Sequence, residues 1–346
     1  MILLKNMKIN KTISIPQSLK SKINNYLNKS QKKQILFTKT NKDLNKNKLD
    51  LILNLHKSND IRRLNKFYEK VNECLDDNGI FISCSETLEQ RRKRMKSKVP
   101  LGFKNIVRVI DFIYKRFFPK IPLLKSIYFL ISKGKNRVIS KGEFFGRLYS
   151  CGFKIIKYFE IENKLFIVSK KVKKPDFNMN PSYGPIFKMK RVGFKGKLIE
   201  VYKLRTMHPY SEYCQELIIE ENKLAPSGKI ANDYRVTTWG KIFRRVWIDE
   251  LPMLINLFKG DLNIVGVRPL SKNYFSKYPI ALQELRIKVK PGLIPPYYAD
   301  LPKNFDEILE SEKKYIKQKI KKPFYTDLKY FIKALINIIF HGARSG

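Results

Sequence analysis

Pro252 interrupts an otherwise helical apolar period, and its position in that period constrains how "WIDELPMLINLFKGDLNIVGVRPL" (247–270) folds. Leu251, Leu254, Ile255 and Phe258 recur at i, i+3, i+4 and i+7, the clearest helical spacing in the chain. Proline is tolerated only in the first turn of a helix, so the helix is predicted to begin at about Asp249, with Gly260 as its stop. Asp249 and Glu250 then stand at a helix N-terminus, where an acid caps free N–H groups and meets the positive end of the helix dipole. That is worth about 0.3–1 kcal/mol. Capping accounts for one acid. Two acids, with Arg244, Arg245 and Arg268 near in sequence, suggest a second use. The helix end and the cations are expected to keep Asp249 ionised, as a carboxylate nucleophile must be. Glu250 suits Mg²⁺, a hard cation held by one or two carboxylates plus substrate phosphates. "DLNIVGVRP" reads as a short strand and turn, with Arg268 at the strand end, where it can grip phosphate bidentately.

Upstream, "GPIFKMKRVGFKGKLIEVYKLRTM" (184–207) reads as two strands joined by a glycine-containing turn. Seven basic residues against one acid in 186–205 make it a cationic hairpin. Val201, Lys203 and Arg205 share one face by period two. Lys203 and Arg205, close together among apolar residues, are candidate phosphate ligands; the bland alternative is a solvated basic face. Residues 208–230 read as a helix and a loose loop. A helix is expected from about Thr238, with Ile242, Phe243 and Val246 as its apolar side.

The whole chain has 71 Lys+Arg against 30 Asp+Glu, a formal charge of +41. Part of this follows from abundant Lys, Asn and Ile; the remainder predicts an anionic partner, whether nucleic acid, phospholipid or a phosphorylated small molecule. No zinc-finger, RRM or KH signature is present, which argues against nucleic acid. Four scattered cysteines and three histidines suggest a reducing compartment and no zinc site. The N-terminal apolar run is too short for a signal peptide, and no stretch is long enough to span a membrane. Residues 107–131, broken by Pro119 and Pro122, and residues 328–340 are apolar with scattered lysines. Each reads either as a helix in a lipid interface or as a core helix.

The first half carries a β-α-β rhythm. Residues 50–56 read as a buried strand, the following stretch through Leu75 as an amphipathic helix, "DDNG" as a turn, and 81–85 as a strand. A helical stretch (105–131), a helix capped by Ser140 and a hairpin over 154–171 turning at "EN" complete it. The aperiodic, Pro- and Asn-containing stretch that starts at residue 173 marks a linker. Expected boundaries are an N-terminal extension (1–48), an α/β domain (49–172), a linker (173–183) and a second domain (184–346). The first domain weakly resembles the C-terminal part of a class I methyltransferase, a truncated Rossmann-like α/β fold. It has no glycine before Gly79, and so no cofactor loop.

From "GPIFKMKRVG" through "YKLRTM", "DYRVTTWGKIFRR", "IDELPMLINLFKGDLNIVGVRP" and "VKPGL" to "PFYTDLKYF", the second half resembles the bacterial sugar transferases, monotopic polyprenyl-phosphate phosphoglycosyl transferases. The resemblance implies an α+β, mainly helical domain with a basic β-hairpin, at the cytoplasmic face of a bacterial inner membrane. It implies that Asp249 attacks the sugar-bearing phosphate of a UDP-sugar, releasing UMP, and that polyprenyl phosphate then takes the phosphosugar. Such a step begins capsule, exopolysaccharide or O-antigen assembly. Glu250 matches the acid that supports Mg²⁺, and Lys203, Arg244 and Arg268 match basic positions near the phosphates. Partners implied are a UDP-sugar, polyprenyl phosphate and an anionic membrane surface, with a homo-oligomer left open. Three features depart from the family. The apolar re-entrant helix usually found before "GP-x-F" is replaced by a strand and a polar linker, with 107–131 as its candidate substitute. "VGVRP" stands for "VGPRP", and "PGLIPPYYAD" (291–300) stands where a sugar-recognition motif is usual. The alternative reading is a catalytically degenerate membrane adaptor of a polysaccharide assembly complex.

Overall fold

Alternation along "LDLILNLHK" puts Leu51, Leu53 and Leu55 on one side of a strand and Ile52 on the other, and both sides are buried. A strand covered on both faces needs helices on each, and the computed structural model supplies them. It describes residues 14–44, 48–177, 184–222 and 233–341. Of these, one unit takes 14–177, 208–222 and 233–235, and the other takes 184–207 and 236–341.

In the first unit β1 (Lys33–Leu36), β2 (Leu49–Lys57), β3 (Leu75–Ser85), β4 (Phe153–Ile161) and β5 (Lys164–Lys171) form one sheet in the order β1-β2-β3-β5-β4. The first three are parallel; β5 runs antiparallel to β3 and β4. The helices are α1 (Gln17–Lys29), α2 (Leu64–Cys74), α3 (Leu88–Lys98), α4 (Lys104–Phe112), α5 (Pro122–Ser132), α6 (Lys141–Ser150) and α7 (Gln215–Asn222). Leu19, Ile23 and Leu27 of α1 pack with Leu51, Leu53 and Val168 on one face. On the other face α2 and α6 cover Ile52, Phe81 and Ile167, and Cys214 and Ile218 join that core. Ser140 caps α6 by accepting from the Glu143 N–H at 3.1 Å. Glu162 and Asn163 both take positive φ, 48° and 59°, which is the twist a two-residue hairpin turn requires.

Several boundaries move. Residues 14–44 form part of the first unit, because α1 supplies one wall of its core, so the domain begins well before residue 49. "DDNG" lies inside β3, where the pairing with β2 shifts register between Leu49 and Leu51 and Asn78 takes φ 65°. Residues 101–132 are a broken series of helical segments, interrupted around Pro119. The sequence after the linker does not all belong to the second unit: 208–222 and 233–235 fold with the first. Residues 1–13, the linker from 178 to 183 and most of the expected loop, 223–232, lie outside the described residues.

The second unit opens with the hairpin β6 (Ile186–Val192) and β7 (Leu198–Leu204), paired in register from Ile186–Leu204 to Val192–Leu198. Then come α8 (Thr238–Arg245), a 3₁₀ helix over Ile248–Met253, α9 (Leu254–Phe258) and β8 (Asn263–Val265). β8 pairs in parallel with β9 (Gly292–Ile294), beyond α10 (Lys272–Phe275) and α11 (Ile280–Arg286). α12 (Tyr297–Asp300), α13 (Phe305–Lys321) and α14 (Pro323–Phe340) close the unit. Val265, Leu282, Tyr298, Tyr315, Ile316 and Tyr330 share its core. α14 buries Tyr330 and Ala334, while Ile332, Ile336 and Phe340 on its other side are exposed. Among the described residues no helix is long and apolar enough to cross a membrane, and all four cysteines are free and buried.

Segment 208–214 is held against α6 at Gly146, where an added Cβ would stand 1.9 Å from the Tyr210 carbonyl oxygen. Gly146→Val is expected to destabilise the protein by about 1–3 kcal/mol through overpacking, read as a lowered midpoint in urea unfolding.

Candidate active site

The helix at the acid pair is built inside out. Leu251, Leu254, Ile255 and Phe258, the stripe that sequence periodicity assigns to a core, are exposed, Phe258 at 88%. Ile242 and Val246 of α8 are exposed too. The buried positions are Asp249, Met253 and Asn256. Asn256 is fully buried and supplies the reason. Its side-chain oxygen accepts the Tyr202 N–H at 3.0 Å, and its amide donates to the Glu200 carbonyl at 2.7 Å and to the Asp261 carboxylate at 3.1 Å. The two bonds to β7 fix this polar face against the strand and turn the aliphatic face outward.

The first turn is 3₁₀ rather than α and starts at Ile248, one residue before the expected Asp249. Trp247, at φ 60°, makes the left-handed step into it, and its carbonyl accepts the Glu250 N–H at 3.0 Å. A 3₁₀ turn satisfies its backbone at i+3, which accommodates Pro252. Asp249 is thus carried inward, 8% exposed. The Glu250 carboxylate meets the Lys203 ammonium of β7 at 2.6 Å.

α8 is fixed beside this turn by Thr206. The Thr237 side chain accepts from the Gly240 N–H at 2.8 Å and donates to the Thr206 carbonyl at 3.1 Å. Gly240 passes so near Thr206 that a Cβ would stand 2.1 Å from its carbonyl oxygen. Arg244 Nε donates to Thr206 Oγ1 at 3.0 Å.

Met189, Arg191, Lys203, Glu250 and Arg268 line a cavity of about 310 Å³. Ser271, Tyr274 and Tyr297 complete its polar wall, and Leu293 and Pro295 add apolar surface. Arg268 follows β8 as expected and lies over the Tyr297 ring, 5.8 Å from its centroid. Among the described residues, neither Arg191 nor Arg268 has a carboxylate within ion-pair distance. Burial, and then the neighbouring Arg268, lower the Arg191 pKa. Burial also opposes the charge on Arg268, but Tyr297, Tyr298 and Glu250 outweigh it and leave its pKa raised. Two guanidiniums that feel each other's charge in one cavity form a site for an anion with more than one charged oxygen.

The structure therefore brings Lys203, Glu250 and Arg268 to one cavity, with Asp249 adjoining them through its charge contacts with Lys203 and Glu250. Arg205 does not line it: beyond the end of β7, its Nε donates to the Gly184 carbonyl and its guanidinium lies over the Phe187 ring at 4.9 Å. Arg244 acts on Asp249 through its charge. Arg191 escaped the sequence reading, although the signal was present. β6 alternates like β7, so Met189 and Arg191 share the face of Val201 and Lys203. Tyr274 and Tyr297 carried no motif.

The direction expected for Asp249 is reversed. Burial raises its carboxyl above the ordinary range; Lys203 and Arg244 pull it back, and Glu250 adds to the rise. The donor set nevertheless fits Mg²⁺: two adjacent carboxylates beside a phosphate-sized cationic cavity, where Mg²⁺ takes its other ligands from water and substrate. Glu250, on the cavity wall, would hold it by leaving Lys203. Among the described residues no group of three His, Cys, Asp or Glu side chains forms a closed metal site.

Residues 178–341 match the family model described as bacterial sugar transferase. Those residues belong to that family. The galactosyl transferase CpsE of Streptococcus agalactiae serotype III (strain NEM316) is 34% identical over 140 residues, 39% of this chain and 31% of that protein. The sugar transferase EpsL of Bacillus subtilis (strain 168) is 36% identical over 107 residues, 31% of this chain and 46% of that one. The UDP-glucose:undecaprenyl-phosphate glucose-1-phosphate transferase of Escherichia coli (strain K12) is 38% identical over 115 residues, 32% and 23% respectively. The chain matches less than half the length of each of these relatives. The sugar transferase family match takes in the whole cavity wall, from Met189 to Tyr297.

Two outcomes follow from this part of the sugar transferase domain. Asn256→Ala leaves the Tyr202 N–H and Glu200 carbonyl unpaired and is expected to lower stability by about 1–3 kcal/mol in urea titration. Folded Asp249 binds its proton more tightly than unfolded Asp249, so its contribution to stability falls as pH rises from the unfolded pKa through the raised folded one. Asp249→Asn removes that burden, and its Tm at neutral pH is expected to equal or exceed that of the parent.

Proposed function

We propose that this protein transfers a sugar-1-phosphate from a UDP-sugar to a polyprenyl phosphate. The observation that carries the reading is the Arg191–Arg268 pair, two cations with no carboxylate at ion-pair distance among the described residues, beside Lys203 and the Asp249–Glu250 turn. Phosphoryl transfer requires mainly positioning and neutralisation of charge, which that constellation provides.

The Asp249 carboxylate oxygen attacks the sugar-bearing phosphorus, forming a P–O bond as the bond to the UMP oxygen breaks. The departing phosphate takes the electron pair and is held by Arg191 and Arg268. An oxygen of the polyprenyl phosphate then attacks the same phosphorus, giving a polyprenyl-diphosphate sugar and restoring the Asp249 carboxylate. Burial makes Asp249 less well solvated and a stronger nucleophile when ionised, while Lys203 and Arg244 keep that form accessible. Mg²⁺ at Glu250 would supply further neutralisation of the diphosphate. The acceptor places the work at a membrane, on its cytoplasmic face where UDP-sugars are found. The product begins a capsule, exopolysaccharide or O-antigen chain.

The test is UMP release from a panel of UDP-sugars with polyprenyl phosphate and Mg²⁺. Asp249→Asn is expected to abolish release, and Arg191→Met to lower kcat/KM by about 10²–10³-fold, as loss of a charge-stabilising donor does. The acid limb of the rate profile should lie above the usual aspartate range and move to higher pH in Arg244→Gln, since Arg244 lowers the Asp249 pKa. Release that survives Asp249→Asn excludes the nucleophile. No release with any UDP-sugar returns the chain to the adaptor reading.

A further inference from the structure

Helices α4 and α5 of the first unit show the wrong faces for a soluble domain. Ile106, Val109, Ile110 and Ile113 follow i, i+3, i+4 and i+7 spacing through α4 and the turn after it, and all four are exposed, at 55, 55, 60 and 41%. On α5, Leu123, Ile127, Leu130 and Ile131 fall at i, i+4, i+7 and i+8, again one face of a helix, and are exposed at 83, 54, 78 and 64%. The inward side is aromatic and hydroxyl-bearing instead. Tyr128 is buried at 2%, and its ring meets Tyr114 edge-on with centroids 5.3 Å apart. A helix packed for a protein core would reverse these faces. Aliphatic surface of this extent on one element marks a binding site.

Charge identifies what covers it. Residues 101–135 contain eight Lys and Arg and a single acid, Asp111. That carboxylate is held by Arg91 through contacts of 2.6 and 3.1 Å, so it offers no negative charge outward. A second copy would bring two strongly cationic surfaces together, and aliphatic ridges do not suit the stacking and hydrogen bonding of nucleic acid. The Lys115 ammonium lies 4.9 Å from the Tyr114 ring and 5.8 Å from the Tyr128 ring, on the side of the tyrosines rather than of the aliphatic stripes. Short helical segments interrupted at Ile121, none able to span, with aliphatic ridges outward and Lys125, Lys133 and Lys135 exposed, have the make-up of an element that lies in a lipid interface.

We propose that α4, α5 and the turn between them insert into the surface of an anionic phospholipid bilayer, anchoring the first unit independently of the sugar transferase domain. The acyl region takes the Leu123, Leu130 and Ile131 ridge, and phosphate headgroups take the surrounding cations.

The experiment uses the full chain carrying an environment-sensitive fluorophore on Leu130→Cys; the four native thiols are buried and leave the new one to react. A label on Lys154→Cys, an exposed position of β4, is the control. With vesicles of phosphatidylcholine and phosphatidylglycerol, the Leu130 label is expected to shift to the blue and be quenched by brominated acyl chains, while the Lys154 label stays in water. Binding to phosphatidylcholine alone should be about tenfold weaker. Leu123→Glu with Leu130→Glu, both at exposed positions that folding does not need, should weaken vesicle partitioning about tenfold. The proposal is overturned if the Leu130 label remains in water on protein that floats with vesicles. It is equally overturned if the protein does not float, or if the blue shift appears without lipid together with a doubled mass, which assigns the face to a second copy. None of these readouts depends on UMP release.

Discussion

A buried amide holds the site together. Asn256 joins the helix that follows the acid pair to the backbone of β7 on either side of Val201, one residue from Lys203. Rotating that helix to bury its leucines would break both bonds and leave two backbone groups unpaired in a dry interior, at about 1–3 kcal/mol each. The helix accordingly keeps its aliphatic face in solvent. With the orientation fixed, Glu250 meets Lys203 and Asp249 is carried inward. The acid pair is split by its surroundings: one carboxylate is ion-paired at the cavity wall, and the other is buried, with its pKa raised by that burial. Two adjacent residues thereby acquire different chemistry from one turn of 3₁₀ helix.

Exposed aliphatic stripes recur across both units, on α4, α5, α8, α9 and α14. In each the hydrophobic period is real and its partner is not the chain's own core. The formal charge of +41 is a second constraint on any partner, since a surface rich in lysine and arginine favours an anionic one.

What the sequence discloses follows from this. The existence and type of elements were legible wherever periodicity met punctuation: the "EN" hairpin, the Ser140 cap, the basic hairpin, and the strand that delivers Arg268. Which face of a helix is buried was not legible for 251–258, because hydrophobic spacing describes a stripe and not its partner. The signal that opposed the core reading was Asn256, whose placement on the opposite side matters only once β7 is beside it. The Asp249 pKa was misjudged for a related reason. Nearby cations can be counted in a sequence, whereas desolvation, which dominates, is a property of the packed turn. Arg191 was within reach of simple alternation along β6. Tyr274 and Tyr297 became site residues only through the packing that follows Arg268.

The path of the chain between the units bears on how this protein can be divided. Residues 208–222 and 233–235 sit in the first unit although the sequence on either side of them builds the second. Cys214 and Ile218, from within the family match, fill the first unit's core beside Phe144 and Leu148. A nick in the 178–183 linker therefore cuts the chain without dividing it into its two units, because 208–222 goes with the C-terminal piece while its side chains fill the first unit's core. A recombinant piece starting at 184 exposes that segment with its hydrophobic partners removed. The border that matters for inheritance, where the family match begins, and the border that matters for folding are different lines on the same chain.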